Sequence, residues 1–386
     1  MLNFDYEIPT KILFGKDKIQ QLGAEITKYS KRILLVYGGG SIKTIGLYDT
    51  VIKILKEKAI EYHELGGVQP NPRITKVREG IRLCREHQLD FILAVGGGSV
   101  LDTAKAIAAG FYYQGDPWDF YIKKASVKKT LPIGTVLTLP ATGSEMNGNS
   151  VISDEATESK LAIGSFLLYP KFSILDPTHT FSLPPEQTAA GVVDIMSHIF
   201  EQYFSPESGT AVPDRLAEAL LKVCIHYGPI ALAEPQNYEA RANILWAGSL
   251  ALNGLISYGK TGDWATHTIE HELSAIYDLT HGVGLAILTP FWMEYVLSEQ
   301  TVKKFVDYAQ NVWNIISGDD FEAARLAIDK TRQFFKSIGM PTTLREVGID
   351  DQRLEEMAQK ATRFGAPGNL KKLNSADVLR ILKNAL

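Results

Sequence analysis

The stretch FILAVGGGSVLDTAKAIAA, residues 91–109, joins an unbroken apolar run to three glycines, a serine and then helical spacing. A run without polar alternation reads as a strand buried on both faces, the habit of parallel sheets. Gly96, Gly97 and Gly98 let backbone approach a ligand closely, and a helix start at Ser99 offers unpaired N–H groups to a phosphate. The spacing is neither G-x-G-x-x-G nor the Walker loop, so a plain strand-to-helix turn is the competing reading.

RILLVYGGGSIKTIG, residues 32–46, repeats the arrangement with Gly38, Gly39, Gly40 and Ser41. IGTVLTLP (133–140) and FSILDP (172–177) are further strand candidates, while TVIKILKEKAIEY (50–62) and TKVREGIRLCREHQ (75–88) have helical apolar spacing. This half is predicted to be an α/β sandwich. After DPTHTFSLPPEQ (176–187) strand signals almost vanish and helical patterns follow to the end. The expected division is an α/β domain over 1–181 and an all-α domain over 182–386, with Ser182, Pro184 and Pro185 marking the first helix start. Two domains also suit 386 residues, since single cores stop growing near ~250–300.

Composition removes several classes of function. With 45% hydrophobic residues, 22% charged residues and a formal net charge of -4, the chain has no general attraction for nucleic acid or an anionic membrane. MLNFDYEIPTKILFG lacks the basic start and apolar core of a signal peptide, and the apolar runs are short and broken, so a cytoplasmic protein without a transmembrane segment is expected. Cys84 and Cys224 stand alone in helical patterns, which rules out a disulfide framework or a cysteine zinc site and leaves buried free thiols.

Two glycine turns suit a dinucleotide, which has two halves to hold. No acidic residue follows the first strand where it could bind a ribose 2′-hydroxyl; Gly39, Gly40 and Ser41, with Lys43 nearby, leave room for a 2′-phosphate, which favours NADP over NAD. A third loop, TLPATGSEMNGNS (138–150), supplies Thr138, Thr142, Ser144 and Asn147 for phosphate, ribose or nicotinamide amide.

The second half carries a different chemistry. In GVVDIMSHIFEQYF (191–204), Asp194 and His198 stand four apart and share a helix face among apolar neighbours. An acid buried there needs a strong partner, either a hydrogen-bonded imidazole or an ion. His267, His271 and His281 fall within fifteen residues, from eight histidines in the chain. One carboxylate and three imidazoles suit Fe(II), Zn(II) or a similar ion and leave positions open for a substrate oxygen. One of His267 and His271 is then spare to carry a proton, and spacing does not choose between them. His63, His87 and His226 read as structural or surface residues, while His179 lies in the interdomain stretch.

Taken together, GGGSVLDTAKAIA, PATGSEMN, DIMSHIFEQYF, the His267–His271 pair and HGVGLAILTP resemble the iron-dependent (group III) alcohol dehydrogenases, and within them the NAD(P)-dependent butanol dehydrogenases. The likeness runs along nearly the whole chain, with the motifs in the family's order. It implies a Rossmann-like N-terminal domain, a helical C-terminal domain and an active site in the cleft between them. By motif position it makes Asp194, His198, His267 and His281 the metal ligands and places His271 near the nicotinamide. Gly38, Gly39, Ser41, Gly97, Gly98, Ser99, Asp102, Thr138, Thr142, Ser144 and Lys160 match cofactor-contacting positions, and Asn147, Tyr258 and Trp264 match variable pocket positions. NAD-preferring members often carry an acid where Gly39 stands. A homodimer is implied as well.

The activity so implied is hydride transfer between NADP(H) or NAD(H) and a small primary alcohol or aldehyde, butanol-like in size. Asp194 offsets part of the ion's charge and His271 is the candidate proton carrier. Three rivals are a lyase similar to dehydroquinate synthase, a non-redox metal-dependent hydrolase, and a metal and nucleotide sensor without turnover. The lyase needs a Lys and Arg cluster around the metal, whereas the segments flanking these ligands offer mainly Lys260.

Overall fold

A computed structural model describes every residue from Met1 to Leu386. Its strands are β1 (Lys11–Phe14), β2 (Arg32–Gly38), β3 (Glu61–Val68), β4 (Phe91–Gly96), β5 (Ile133–Leu137), β6 (Asn149–Asp154), β7 (Ser159–Gly164) and β8 (Phe172–Leu175). Six form one parallel sheet in the order β1-β8-β5-β4-β2-β3, and β6 and β7 make a separate antiparallel hairpin. Strand side chains alternate between faces, so Ile33, Leu35 and Tyr37 meet helices Leu22–Ile26 and Leu47–Glu57, while Leu34 and Val36 meet helices Ile74–Glu86 and Gly98–Gly110. Burial on both faces explains why these strands read as solid apolar runs.

Chain direction places the loops. From β2 the chain moves outward to β3, then returns past β2 to β4 and continues the other way to β5. The turns after β2, β4 and β5 therefore leave neighbouring strands at one sheet edge, flanking the point where the winding reverses. Ligands of doubly wound sheets bind at such reversals.

The predicted helix over 50–62 is shorter, ending at Glu57, and the residues beyond it begin β3. An outermost strand covered on one side carries polar residues such as Glu61, His63 and Glu64, and so gives no solid apolar run. The glycine-turn helix begins at Gly98 with Gly97 as its cap rather than at Ser99, and the helix after the proline-rich stretch begins at Pro185 with Pro184 as its cap rather than at Ser182. Two consecutive prolines preset the backbone for a first turn without a capping hydroxyl.

The chain divides into two compact units: one comprises residues 7–183 and 235–249, the other residues 1–6, 184–234 and 250–386. All secondary structure in the second unit is helical. Its central helix, Pro185–Tyr203, is buried almost throughout and ends in an aromatic cluster of Phe200, Tyr203 and Phe204 against Phe305 and Tyr308. Helix Ala211–Ala233 is long and apolar enough to cross a membrane by length and composition alone. In the fold it packs on the central helix, and its Asp214 binds Lys260 at 2.7 Å and Lys304 at 2.6 Å.

In the first unit, helices Ile74–Glu86 and Gly98–Gly110 cross through reciprocal glycines: a Cβ on Gly80 would overlap Ile107, and one on Gly110 would overlap Ile81. Gly80→Val is therefore expected to lower the unfolding free energy by about 1–3 kcal/mol through overpacking. Urea denaturation measures this, and an unchanged midpoint would show slack at the crossing.

Candidate metal and cofactor sites

Helical spacing brings Asp194 and His198 to one face of the central helix, with His198 Nδ1 3.5 Å from Asp194 Oδ1. Two further helices converge on that carboxylate. His267, in helix Ala265–Tyr277, puts Nε2 3.9 Å from Asp194 Oδ1, and His281, the first residue of helix His281–Val296, puts its Nε2 at 3.7 Å. Donor atoms of Asp194, His267 and His281 all lie within 4.8 Å of one another, and the His198 ring is 4.7 Å from that of His267.

What lies behind two of these rings sets their chemistry. His267 Nδ1 is 3.0 Å from Glu201 Oε1, which also accepts the His267 backbone N–H at 2.9 Å and the Thr266 hydroxyl. His281 Nδ1 hydrogen-bonds Glu270. Donation from each Nδ1 to a carboxylate leaves the Nε2 lone pair pointing inward, toward a carboxylate oxygen that also carries lone pairs. The inward gaps are too long for hydrogen bonds, and the buried Nε2 of His267 has no hydrogen-bond partner. Inward lone pairs around one buried carboxylate repel unless a cation lies among them. Donors about 2 Å from one ion stand about 3–4 Å apart, so the observed separations fit Fe(II) or Zn(II).

The glycines of HGVG make this convergence possible. A Cβ on Gly282 would overlap the Ala190 carbonyl of the central helix, and one on Gly284 would come within 2.7 Å of the Glu270 side chain. The first lets the His281 helix approach Asp194; the second leaves room for the carboxylate that orients His281. Trp264 holds a left-handed backbone with φ 65°, rare for a bulky residue, and sets its ring 5.4 Å from His267 and 6.4 Å from His198. Asp263 pins that corner by accepting the Ala265, Asn369 and Leu370 N–H groups. Burial, together with the nearby Glu201 carboxylate, raises the pKa of Asp263 to about 7.

His271 stands apart from the three-helix convergence. Half-buried, its ring lies 5.6 Å from His281, and it belongs to a second close set with Glu270 and His281. The sequence reading did not single out Glu201 and Glu270 as site residues, although each has a signal: an acid in an apolar helical pattern, three residues after a histidine.

In the α/β unit two of the three polar turns pack closely. A Cβ on Gly98 would meet Thr142 Oγ1 at 2.5 Å, and one on Gly97 would meet Leu139 at 3.2 Å, so the glycine turn lies directly against the 138–147 loop. Gly39 has open space around it, and Gly40 takes a φ of 134° that favours glycine. Lys43, in the short helix with Ser41, sits 5.2 Å and 4.8 Å from the rings of Tyr37 and Tyr48, whose hydroxyls both bind Glu64. Ser99 lies in the first turn of the glycine-turn helix, and Gly38 and Thr138 stand at the ends of β2 and β5. Other polar candidates are held within the protein. Ser144 Oγ donates to Asp102 at 2.7 Å, Asn147 Nδ2 donates to Thr142 O at 3.2 Å, and Lys160 Nζ donates to Asn71 at 2.9 Å.

Comparison with known proteins gives concordant results. Residues 9–177 match the family model for iron-containing alcohol dehydrogenase, and residues 188–386 match the C-terminal model of the Fe-containing alcohol dehydrogenase family. The chain is 56% identical to NADH-dependent butanol dehydrogenase A of Clostridium acetobutylicum, with full coverage of both chains. It is 44% identical to the NADPH-dependent aldehyde reductase of Escherichia coli, covering 95% of this chain and 94% of that one. The crystal structure of NADH-dependent butanol dehydrogenase A from Thermotoga maritima superposes with a TM-score of 0.96 at 40% identity, covering 100% of this chain and 99% of that one.

Carboxylates behind metal-binding histidines typically change metal affinity by about 10–100-fold when lost. Glu270→Gln and Glu201→Gln are each expected to weaken Zn(II) binding on that scale, read by competition with a chromophoric chelator. Wild-type affinity in both variants would remove the orienting role given to these acids.

Proposed function

The chain belongs to the iron-containing alcohol dehydrogenase family, and from that premise we propose that it interconverts small primary aldehydes and alcohols, butanol-like in size. It is an oxidoreductase that uses a nicotinamide nucleotide and a divalent metal, Fe(II) in this family. The observation that carries the site assignment is the cage of inward lone pairs on Asp194, His267 and His281, two of its imidazoles braced by buried carboxylates. We assign Asp194, His198, His267 and His281 as the ligands. When bound, the ion supplies Lewis acidity to the carbonyl oxygen and the nicotinamide supplies or accepts the hydride.

The chain's own groups set the rest. Asp194 carries one negative charge into the ligand set, while the neutral imidazoles add none, so the direct ligands would offset only part of a divalent ion's charge. Glu201 and Glu270 fix the tautomers of His267 and His281. His271 has a half-buried ring beside His281, open enough to exchange protons, and imidazole is suited to proton transfer near neutral pH. The main cation read beside the ligands, Lys260, is bound to Asp214, which disfavours a lyase that grips an anionic substrate.

For the cofactor, the open space at Gly39 and the Lys43 ammonium beside the first turn support NADP, with NAD also accepted. The buried free thiols Cys84 and Cys224 support a reducing, cytoplasmic setting. The unpaired outer edge of β1 supports assembly with a second copy as a homodimer.

Purified protein mixed with NADPH and butanal is expected to consume NADPH absorbance, to stop after chelation and to recover with Fe(II) or Zn(II). His267→Ala and His281→Ala should lose metal and activity together, whereas His271→Ala should keep metal and lose about a hundredfold or more in turnover. Metal loss in His271→Ala would reverse the roles of His267 and His271. Gly39→Asp should raise the Michaelis constant for NADPH far more than for NADH, because a carboxylate repels the 2′-phosphate and can bind a 2′-hydroxyl. Equal effects on the two nucleotides would contradict the NADP assignment.

A further inference from the structure

One buried charge has no part in the chemistry above. Lys105, on helix Gly98–Gly110, is wholly removed from solvent. Its Nζ donates to Asn147 O at 2.8 Å, Asn147 Oδ1 at 3.1 Å and Asn149 O at 2.8 Å. An ammonium has three donors and no acceptor, so three converging oxygens satisfy it completely. One helical turn earlier, Asp102 grips the same segment, accepting Ser144 Oγ at 2.7 Å and Val151 N at 3.0 Å, while its backbone carbonyl accepts Ser150 Oγ at 2.8 Å. Residues 144–151 are thus fastened to the glycine-turn helix by one buried acid and one buried base. The loop fastened in this way presses Thr142 against Gly98.

We propose that Lys105 is a positioning residue for the nicotinamide nucleotide: its ammonium holds the 138–149 loop against the glycine turn, and loss of its proton loosens that loop and weakens nucleotide binding. The proposal rests on the glycine turns being the nucleotide site. A neutral amine keeps two N–H donors and turns a lone pair toward the third oxygen, which in a buried site costs free energy. Burial lowers the Lys105 pKa to about 8, opposed by the charges of Asp102 and Glu145. The groups facing this pair are Glu145 from the loop, hydrogen-bonded to Ser249; Lys160 of β7, which acts on Asp102; and the Tyr121 hydroxyl, bound to Ser150.

The signs separate this role from a purely structural one. The ammonium's grip on the loop is present below about pH 8 and is lost as pH rises through that value. Folding stability changes in the opposite sense. With its pKa held below the ordinary 10.5, Lys105 binds fewer protons folded than unfolded, so its contribution to stability rises with pH between about 8 and 10.5. Nucleotide affinity should therefore fall where thermal stability, as far as this group sets it, does not.

The test is fluorescence titration of the metal-loaded protein with NADPH across pH 8, with melting temperature measured in parallel. The wild type should lose affinity above the midpoint by up to about tenfold per pH unit, as release of one proton requires. Lys105→Met should bind weakly at every pH, without an alkaline fall. Asp102→Asn removes the negative charge that supports the ammonium and should move the midpoint to lower pH; it decides the matter if Lys105→Met fails to fold. Wild-type affinity that stays flat across pH 8, or a midpoint unmoved in Asp102→Asn, would overturn the role of Lys105 alone. A wild type that binds neither NADPH nor NADH at any pH would overturn the nucleotide-site reading and this proposal with it.

Discussion

The Asp194 carboxylate imposes the constraint around which the helical unit is arranged. A carboxylate at the middle of a helix buried almost throughout is costly unless something of opposite charge meets it. Imidazole nitrogens from two other helices point at it without hydrogen-bonding to it, and Glu201 and Glu270 direct the ring protons outward. Three features of the unit serve that convergence. Gly282 lets the His281 helix touch the central helix, Gly284 accommodates Glu270, and Asp263 holds the start of the His267 helix. The contacts of Gly282 with Ala190, of His267 and His281 with Asp194, and of Asp263 with Asn369 and Leu370 join segments distant in sequence, so the site and the packing of the unit stand together.

The α/β unit solves a different problem with the same economy of residues. Three neighbouring strands end at the point of winding reversal, and in the proposed nucleotide site their turns must be thin and yet hold their shape. Glycine supplies the thinness at Gly39, Gly97 and Gly98. Shape comes from buried polar bonds, chiefly those of Asp102 and Lys105 to the 144–151 segment. Asn147 illustrates the division of labour: its amide meets Lys105, the Asn149 N–H and the Thr142 carbonyl, all within the protein.

How much of this was legible in the sequence depended on burial. β2, β4, β5 and β8 were legible because strands covered on both faces must be apolar throughout. β1, β3 and the β6–β7 hairpin were not, since outer or short strands mix polar and apolar residues as loops do. Asp194 and His198 could be paired by a four-residue interval within one helix. His267 and His271 have the same interval on their own helix, so spacing did not separate them and only the family's motif pattern did; in the fold, the position of Glu201 and the distance to Asp194 mark out His267. Glu201, Glu270 and Lys105 escaped notice because a charged residue in a helical pattern is ordinarily solvated. Their burial is a property of the assembled fold.

The central claim, that one ion is held by Asp194, His198, His267 and His281, is tested most directly by anomalous diffraction from crystals loaded with Fe(II) or Zn(II) and recorded on both sides of the metal edge. A single strong peak within bonding distance of those four side chains, with Glu201 and Glu270 outside its reach, is the predicted result. A peak held instead by Glu270, His271 and His281, or no peak in the helical unit, would contradict it.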